Sequence, residues 1–537
     1  MKKNLNIFYK LYLLFSIISI FVFGKLNSIT QKAHLTSAWY PQEKTELTKE
    51  LNFYIKKAKE KFKLKNNPAD IKIIIAPHAG YYYSGLCAAT AYQTLLSENK
   101  KNSKIKNIII LSPSHTKYFE GIAIPNFDNY ENCLGSINID KNKIEKLKTN
   151  SSYKFVEKVF EQEHAIEIQL PFLQHTVENF TIIPLIVGSI KEQDYKTIAN
   201  HLKNIIDENT LIVISSDFIH YGKDYDYTPF DLFILDNIRY YDTEALYAIG
   251  KQSYNNFNNL LRKTNATICG QNCIKILLKL LEEKPFGEIE PRLTCYYTSA
   301  QMEQARNNNY INIKKLLSDL SDDLVKNSVS YAGLIFTTEK NNTLKQDDQL
   351  TNYEKKSLYN LAKRSIENEF KENKIPANLL WPVRTLSLDK NSGAFVTLNK
   401  NGELRGCIGR IISNQELFKT IQEMAIASAF NDNRFNKITK NELENLDISI
   451  SVLTSPKGIN SYNEIILGKH GIILKKLTKS GYLANSVFLP KVPVDWGWNL
   501  QKTLEQLSLK AGLDKDAWQQ DCYFDIFESF EIKNNLD

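Results

Sequence analysis

Cysteine is sparse: Cys87, Cys133, Cys269, Cys273, Cys295, Cys407 and Cys522 are the only seven in 537 residues. That density excludes a disulfide scaffold, and the odd number leaves at least one thiol unpaired within a monomer. A dense basic block is also missing. The net charge of +8 comes from lysines scattered through an Asn/Lys/Ile-rich chain, so there is no clear nucleic-acid signal, though such a partner is not excluded. There is no internal repeat. Near the N-terminus the charge-free run Leu11 to Phe23, LYLLFSIISIFVF, falls short of the ~20 residues a spanning helix needs. No A-x-A-like cleavage site follows it; the next residues are Gly24-Lys25-Leu26-Asn27-Ser28.

What is present reads as globular. An apolar content of 43% and an aromatic content of 11% fit folded domains, and the length calls for two or three of them. Lys2, Lys3 and the apolar run make residues 1–30 a membrane-targeting leader, either a signal peptide or an anchor. With Ile7, Phe8 and Tyr9 included, residues 7–24 are just long enough for an uncleaved anchor. The chain is accordingly expected to be membrane-anchored or exported, with the cytoplasmic side left open.

After the leader, Leu47 to Leu64 has the apolar spacing of an amphipathic helix. Short β-branched runs then follow at Ile71–Ile75, Ile105–Leu111, Thr181–Val187 and Leu211–Ile214, with helical patterns between them, among them Leu86–Leu96 and Asp194–Ile206. Pro184 weakens the third run. Tyr331–Thr337 reads as a closing strand. Alternating strands and helices predict an α/β domain, a mostly parallel sheet with helices on both faces. The polar stretch 338–352 is the predicted linker between a domain at 33–337 and another at 353–537. In the second, the grouping of helices and strands predicts an α+β fold, with Asn401-Gly402 as a hairpin turn.

Three of the buried runs end in residues suited to metal or acid–base work: His78, His115, and Asp217 with His220. One strand-end histidine would merely cap a loop. Three, from a total of eight histidines, converging on the carboxyl edge of a parallel sheet, point to a site. Imidazole suits iron, copper and zinc, and a thiolate would complete such a ligand set with positions left open. The tyrosines Tyr81, Tyr82 and Tyr83, with Ser84, are expected to supply hydroxyls around the His78 ring.

The motifs PHAGYYYSG, SPSHT, AIPNFDNYENCLGSINID, EHAIEIQLPFLQ, SSDFIHYG and TICG, in that order, resemble the Memo family, whose fold is similar to class III extradiol dioxygenases. The resemblance implies His78, His115 and Cys269 as ligands of an iron or copper ion. It implies Asp217 and His220 as the rest of the pocket, with His164 close by. Residue by residue, Cys269 is equally consistent with a buried structural thiol, and His164-x-x-Glu167 with a helix-surface pair. The chain departs from the family at Cys273, where proline is expected; the change would alter the loop or add a second thiol.

Behind the linker, LRGCIG (Leu404–Gly409), AFNDNRF, GKHGIIL and FLPKVPVDWGWN resemble the AMMECR family. Arg405 beside Cys407 would lower the thiol pKa and make it a nucleophile, with His470 and Asp432 as candidate partners. Arg405 paired to a buried acid, with Cys407 as a packing residue, fits the sequence equally well.

The two resemblances together imply components B and A of the AmmeMemoRadiSam system fused in one chain, with a radical-SAM protein as partner. Three functions follow as expectations. The first is a non-haem metal-dependent oxidoreductase acting on an unidentified small molecule or protein. The second is a non-catalytic scaffold that binds a ligand or the radical-SAM enzyme. The third, a metal-dependent hydrolase, lacks a bridging carboxylate set.

Overall fold

The computed structural model describes residues 28–62, 70–97, 100–307, 310–317, 325–338, 350–478 and 481–533. The apolar run of the leader and most of the linker stretch lie outside the described residues. Among the described residues no helix is long and apolar enough to cross a membrane.

The β-branched runs become strands. In the front domain these are β1 (Ile71–Ala76), β2 (Asn107–Pro113), β3 (Ile122–Ala123), β4 (Tyr153–Lys154), β5 (Thr181–Val187), β6 (Thr210–Ser215), β7 (His220–Gly222), β8 (Glu290–Thr298) and β9 (Asn327–Thr337). They form a nine-stranded sheet in the order β7-β9-β1-β6-β2-β5-β3-β4, with β8 also paired to β9. The centre, β1-β6-β2-β5, is parallel. Ile73 to Ile75, Ile108 to Leu111 and Leu211 to Ile214 are fully buried there, as a parallel sheet covered on both faces requires. Antiparallel strands flank this centre: β8, β9 and β7 on one side and β3 on the other. Pro184 is accommodated in β5 because the strand's outer side is paired to β3 only at Ile186 and Val187.

The principal helices of this domain are α1 (Lys44–Lys61), α2 (Tyr81–Tyr92), α3 (His164–Glu167), α4 (Leu170–Thr176), α5 (Asp194–Lys203), α6 (Ile234–Gly250) and α7 (Gln271–Glu282). The crossover from β1 to β2 steps one way across the sheet and that from β5 to β6 steps back. Right-handed connections therefore put α2 and α5 on opposite faces. α1 packs on α2, and α7 on α5. The parallel registers Ala76↔Ser215 and Leu111↔Ile214 set the carboxyl ends of β1, β6 and β2 side by side.

One local expectation is corrected. Tyr81–Ser84, expected to surround the His78 ring with hydroxyls, form the first turn of α2, which begins before the predicted Leu86. Tyr81 Oη donates to the Ile168 carbonyl, Ser84 Oγ donates to the Ala79 carbonyl, and Tyr82 lies against Arg306.

The back domain holds β10 (Ala394–Lys400), β11 (Glu403–Arg410), β12 (Leu446–Leu453), β13 (Lys457–Ile459), β14 (His470–Leu477), β15 (Leu483–Phe488) and β16 (Tyr523–Ile532). They make a seven-stranded sheet, β11-β10-β12-β16-β14-β15 with β13 on β16, antiparallel throughout. Asn401 and Gly402 have φ of 52° and 84°, the left-handed pair that a two-residue hairpin between Lys400 and Glu403 demands. α8 (Asn352–Asn368) packs on α9 (Leu417–Phe430), which covers β10 and β11. α10 (Leu500–Lys510) closes a smaller core around Ile472, Leu474 and Phe524.

The domains are joined by direct contact. Tyr353 of α8 is part of the front core. Asp236 of α6 accepts from Arg239 and, at 2.7 Å, from Arg364 of α8. Arg239 also donates to the Leu379 and Trp381 carbonyls.

Candidate functional site

The site begins where the parallel strands stop. β1 ends at Ala76, and His78 lies two residues on, 2% exposed. Its backbone N–H donates to Asp217 Oδ1 at 2.8 Å, tying the end of β1 to the segment after β6. Its Nδ1 is 3.0 Å from Ser215 Oγ, and its Nε2 is 3.0 Å from Cys269 Sγ. Cys269 in turn accepts the Asp217 backbone N–H at 3.1 Å, and Gly270 N–H donates to Ser216 Oγ. The start of α7 is thus stitched to the end of β6. A side chain at Gly270 would collide with Ser216, which keeps that approach close.

His115, after β2, is fixed by one carboxylate. Its Nδ1 lies 2.9 Å from Glu163 Oε1, and its backbone N–H donates to Oε2 at 2.7 Å. Glu163 also caps α3 by accepting the Ala165 N–H. Burial pushes this carboxyl up, but the hydrogen bonds from the His115 ring and backbone, with the neighbouring imidazoles, more than offset it and hold it below its ordinary value. His164, the first residue of α3, packs on Trp39 with ring centroids 4.6 Å apart.

These three histidines meet. One ring nitrogen from each of His78, His115 and His164 lies within 4.8 Å of the others. Burial, and then the neighbouring imidazoles, drive His78 well below its usual value. The same causes, burial first and His115 second, bring His164 down to about 4. His78 and His164 are therefore uncharged near neutral pH and present lone pairs, the state in which imidazole binds metals. Burial raises Cys269, and the adjacent Asp217 raises it further. A metal ion would supply the charge that holds such a thiol as thiolate.

Asp217 is buried and raised by that burial, with His220 opposing the shift. His220 Nδ1 sits 2.9 Å from the Phe218 carbonyl and 3.0 Å from that of Thr267, so Nδ1 carries the hydrogen and donates there. Its ring meets Tyr225 edge-on.

Five of the residues named from sequence, His78, His115, Cys269, Asp217 and His220, thus surround one sheet edge. His164, expected only beside them, is a full member of the cluster. The surface pair of His164 with Glu167 is corrected. Glu167 is fully buried and accepts from His34 Nδ1, from Tyr40 Oη and from the backbone N–H groups of His34 and Leu35. Cys273 is wholly buried in the first turn of α7. Sequence reasoning missed Glu163, Ser215 and Gln169. Only Glu163 left a trace, as an acidic residue immediately before His164 at a helix start.

In the back domain, Arg405 does not face Cys407. It grips Glu442 with Nε and Nη2, at 3.0 and 3.2 Å, and donates to the Asn436 and Lys437 carbonyls. Cys407 Sγ contacts Thr397 Oγ1 at 3.2 Å, and its N–H donates to Asp432, which Arg434 occupies from the other side. His470 is four strands away across the sheet, roughly 19 Å at the usual strand spacing. Of the proposed partners only Asp432 touches Cys407, through its backbone.

Comparison with known proteins follows the same division. Residues 31–310 match the family model described as Memo-like protein, and residues 359–532 match that described as AMMECR1. The chain is similar to the protein memo-1 homolog of Caenorhabditis elegans, 32% identical over 263 residues, which is 47% of this chain and 71% of that protein. It is similar to protein MEMO1 of Danio rerio, 31% identical over 290 residues, 52% of this chain and 93% of that one. A solved structure of an uncharacterized protein from Pyrococcus horikoshii aligns at 33% identity over 32% of this chain and 88% of that one, with a TM-score of 0.29.

Proposed function

The chain belongs to the Memo family, with an AMMECR1 region behind the Memo domain, and from that membership we propose that the sheet-edge cluster binds iron or copper and serves a metal-dependent redox reaction. One observation carries this reading: the ring nitrogens of His78, His115 and His164 converge within 4.8 Å. Cys269 Sγ, 3.0 Å from His78 Nε2, adds a soft donor. Imidazole with a thiolate suits copper and iron over the hard, oxygen-seeking cations.

A bound ion would supply Lewis-acid and one-electron chemistry at this edge. The chain's own residues do the rest. Glu163 holds His115 in one orientation. Asp217, lifted by burial, keeps or gives up a proton at its carboxyl beside His78. His220 offers Nε2 as a proton acceptor, and Trp39 covers His164 and excludes water from that side. In this reading the substrate is a small molecule or a protein segment. The AMMECR1 region contributes binding, to that substrate or to the radical-SAM partner the resemblance implies.

The test is oxygen uptake by the metal-free protein on addition of iron(II) or copper(II). Uptake that depends on the metal and is lost in His78→Ala supports the reading. No uptake by protein that has bound its metal overturns the redox function and leaves a binding scaffold.

A further inference from the structure

Behind His78, away from the cluster, a chain of hydrogen bonds has every direction fixed by its end groups. Gln169 Nε2 lies 3.0 Å from the Pro77 carbonyl, which can only accept, so the amide nitrogen must face that way. Gln169 Oε1 then accepts from Tyr92 Oη at 2.8 Å, consistent with the same orientation. The amide nitrogen also reaches Ser215 Oγ at 2.9 Å and donates to it. Ser215 has one proton, and a second neighbour claims it: the Ala165 carbonyl, 2.6 Å away. With its proton given to Ala165, Ser215 can only accept from its third partner, His78 Nδ1, at 3.0 Å. Nδ1 must therefore carry a hydrogen. All four groups are buried, so no water substitutes for any of these partners without breaking another bond.

We infer that Ser215 and Gln169 are positioning residues that lock His78 in its Nδ1–H tautomer and so aim an Nε2 lone pair at the cluster. The arrangement does for His78 what Glu163 does for His115, but with a neutral hydroxyl relay instead of a carboxylate. It also couples the two ligand-bearing segments, because the Ala165 carbonyl that orients Ser215 belongs to the residue after His164. The consequence for metal binding rests on the function proposed above; the tautomer does not.

Full-length protein with isotope-labelled histidine, stripped of metal, allows the tautomer to be read directly by imidazole proton–nitrogen correlation. His78→Gln identifies the His78 signals. The wild type is expected to hold His78 as Nδ1–H. Ser215→Ala removes the acceptor; it should shift the population toward Nε2–H and weaken copper(II) binding about 10- to 100-fold, the usual effect of losing a group that orients a ligand. Gln169→Met keeps the hydroxyl and should move both readings the same way by less, which serves if Ser215→Ala does not fold. His78 found as Nε2–H in the wild type, or an unchanged tautomer in both variants, overturns the inference. A wild type that holds the Nδ1–H form yet binds no metal upholds the relay and refutes the metal reading instead.

Discussion

His115 and Glu163 are joined twice, ring Nδ1 to Oε1 at 2.9 Å and backbone N–H to Oε2 at 2.7 Å. A carboxylate bound in this way sets both where the histidine sits and which ring nitrogen is left for a ligand. Glu163→Ala removes both bonds and the cap of α3. Copper or iron affinity should fall about 10- to 100-fold, with a stability loss of about 1–3 kcal/mol. Titration calorimetry and thermal melts on the same preparation measure the two effects separately. Unchanged affinity would mean that His115 needs no orienting partner.

A pH dependence resides in Asp242, buried on α6, which accepts from Ile219 N–H and Tyr296 Oη. Burial lifts its carboxyl from 3.8 to about 7. Because the folded value is the higher one, its favourable contribution is complete below pH 3.8 and is lost as pH rises through about 7. Relative to Asp242→Asn, wild-type stability should decline by something on the order of 4 kcal/mol across that window. Denaturant unfolding at several pH values gives the difference. Parallel curves for the two proteins would contradict the assignment.

The placement of Arg405 makes a prediction about Cys407. Since the guanidinium is spent on Glu442 and two carbonyls, Arg405→Ala should leave the rate of Cys407 alkylation unchanged. It should lower the melting temperature instead, because Glu442 loses its bidentate partner, at a cost of about 1–3 kcal/mol. Labelling followed by mass spectrometry, with Cys522 as the internal reference, decides it. Slower labelling of Cys407 in the variant would restore Arg405 as its activator.

The domain junction is also testable. A protease site engineered within residues 339–349 should, once cut, yield two pieces that still elute together, held by the Asp236–Arg364 pair, the Arg239 contacts and Tyr353. Asp236→Ala should promote their separation on gel filtration. Pieces that part at once in the wild type would show that these contacts do not hold the domains.

Much of this organisation was legible in the chain itself. Uninterrupted Ile runs can only be strands buried on both faces, and residues just beyond their ends must share one edge. His78, His115 and Asp217 follow from that logic alone. His164 and Glu163 do not. They sit at a helix of four residues, too short to have a periodicity, and reach the site through tertiary packing. The placing of the Tyr81–Ser84 hydroxyls around His78 failed for a related reason. Gly80 permits tight backbone paths, yet it is the N-cap of α2, and in the helix only Tyr81 of the three tyrosines turns fully inward. Ser215 was invisible because a small polar residue at a strand end has no pattern; only its three hydrogen-bond neighbours give it a role. Arg405 shows the converse error: two positions from Cys407 on a regular strand it would share that residue's face, but the register of β11 shifts between Gly406 and Leu404, and Arg405 is held on Glu442 instead.

The most direct measurement is metal content. Protein purified without oxygen should carry iron or copper, and His78→Ala, His115→Ala and His164→Ala should each hold well under half of the wild-type amount while keeping their fold by circular dichroism. Cys269→Ala should lose metal as well if its thiol completes the set. Wild-type metal content in all three histidine variants would contradict the account at its centre.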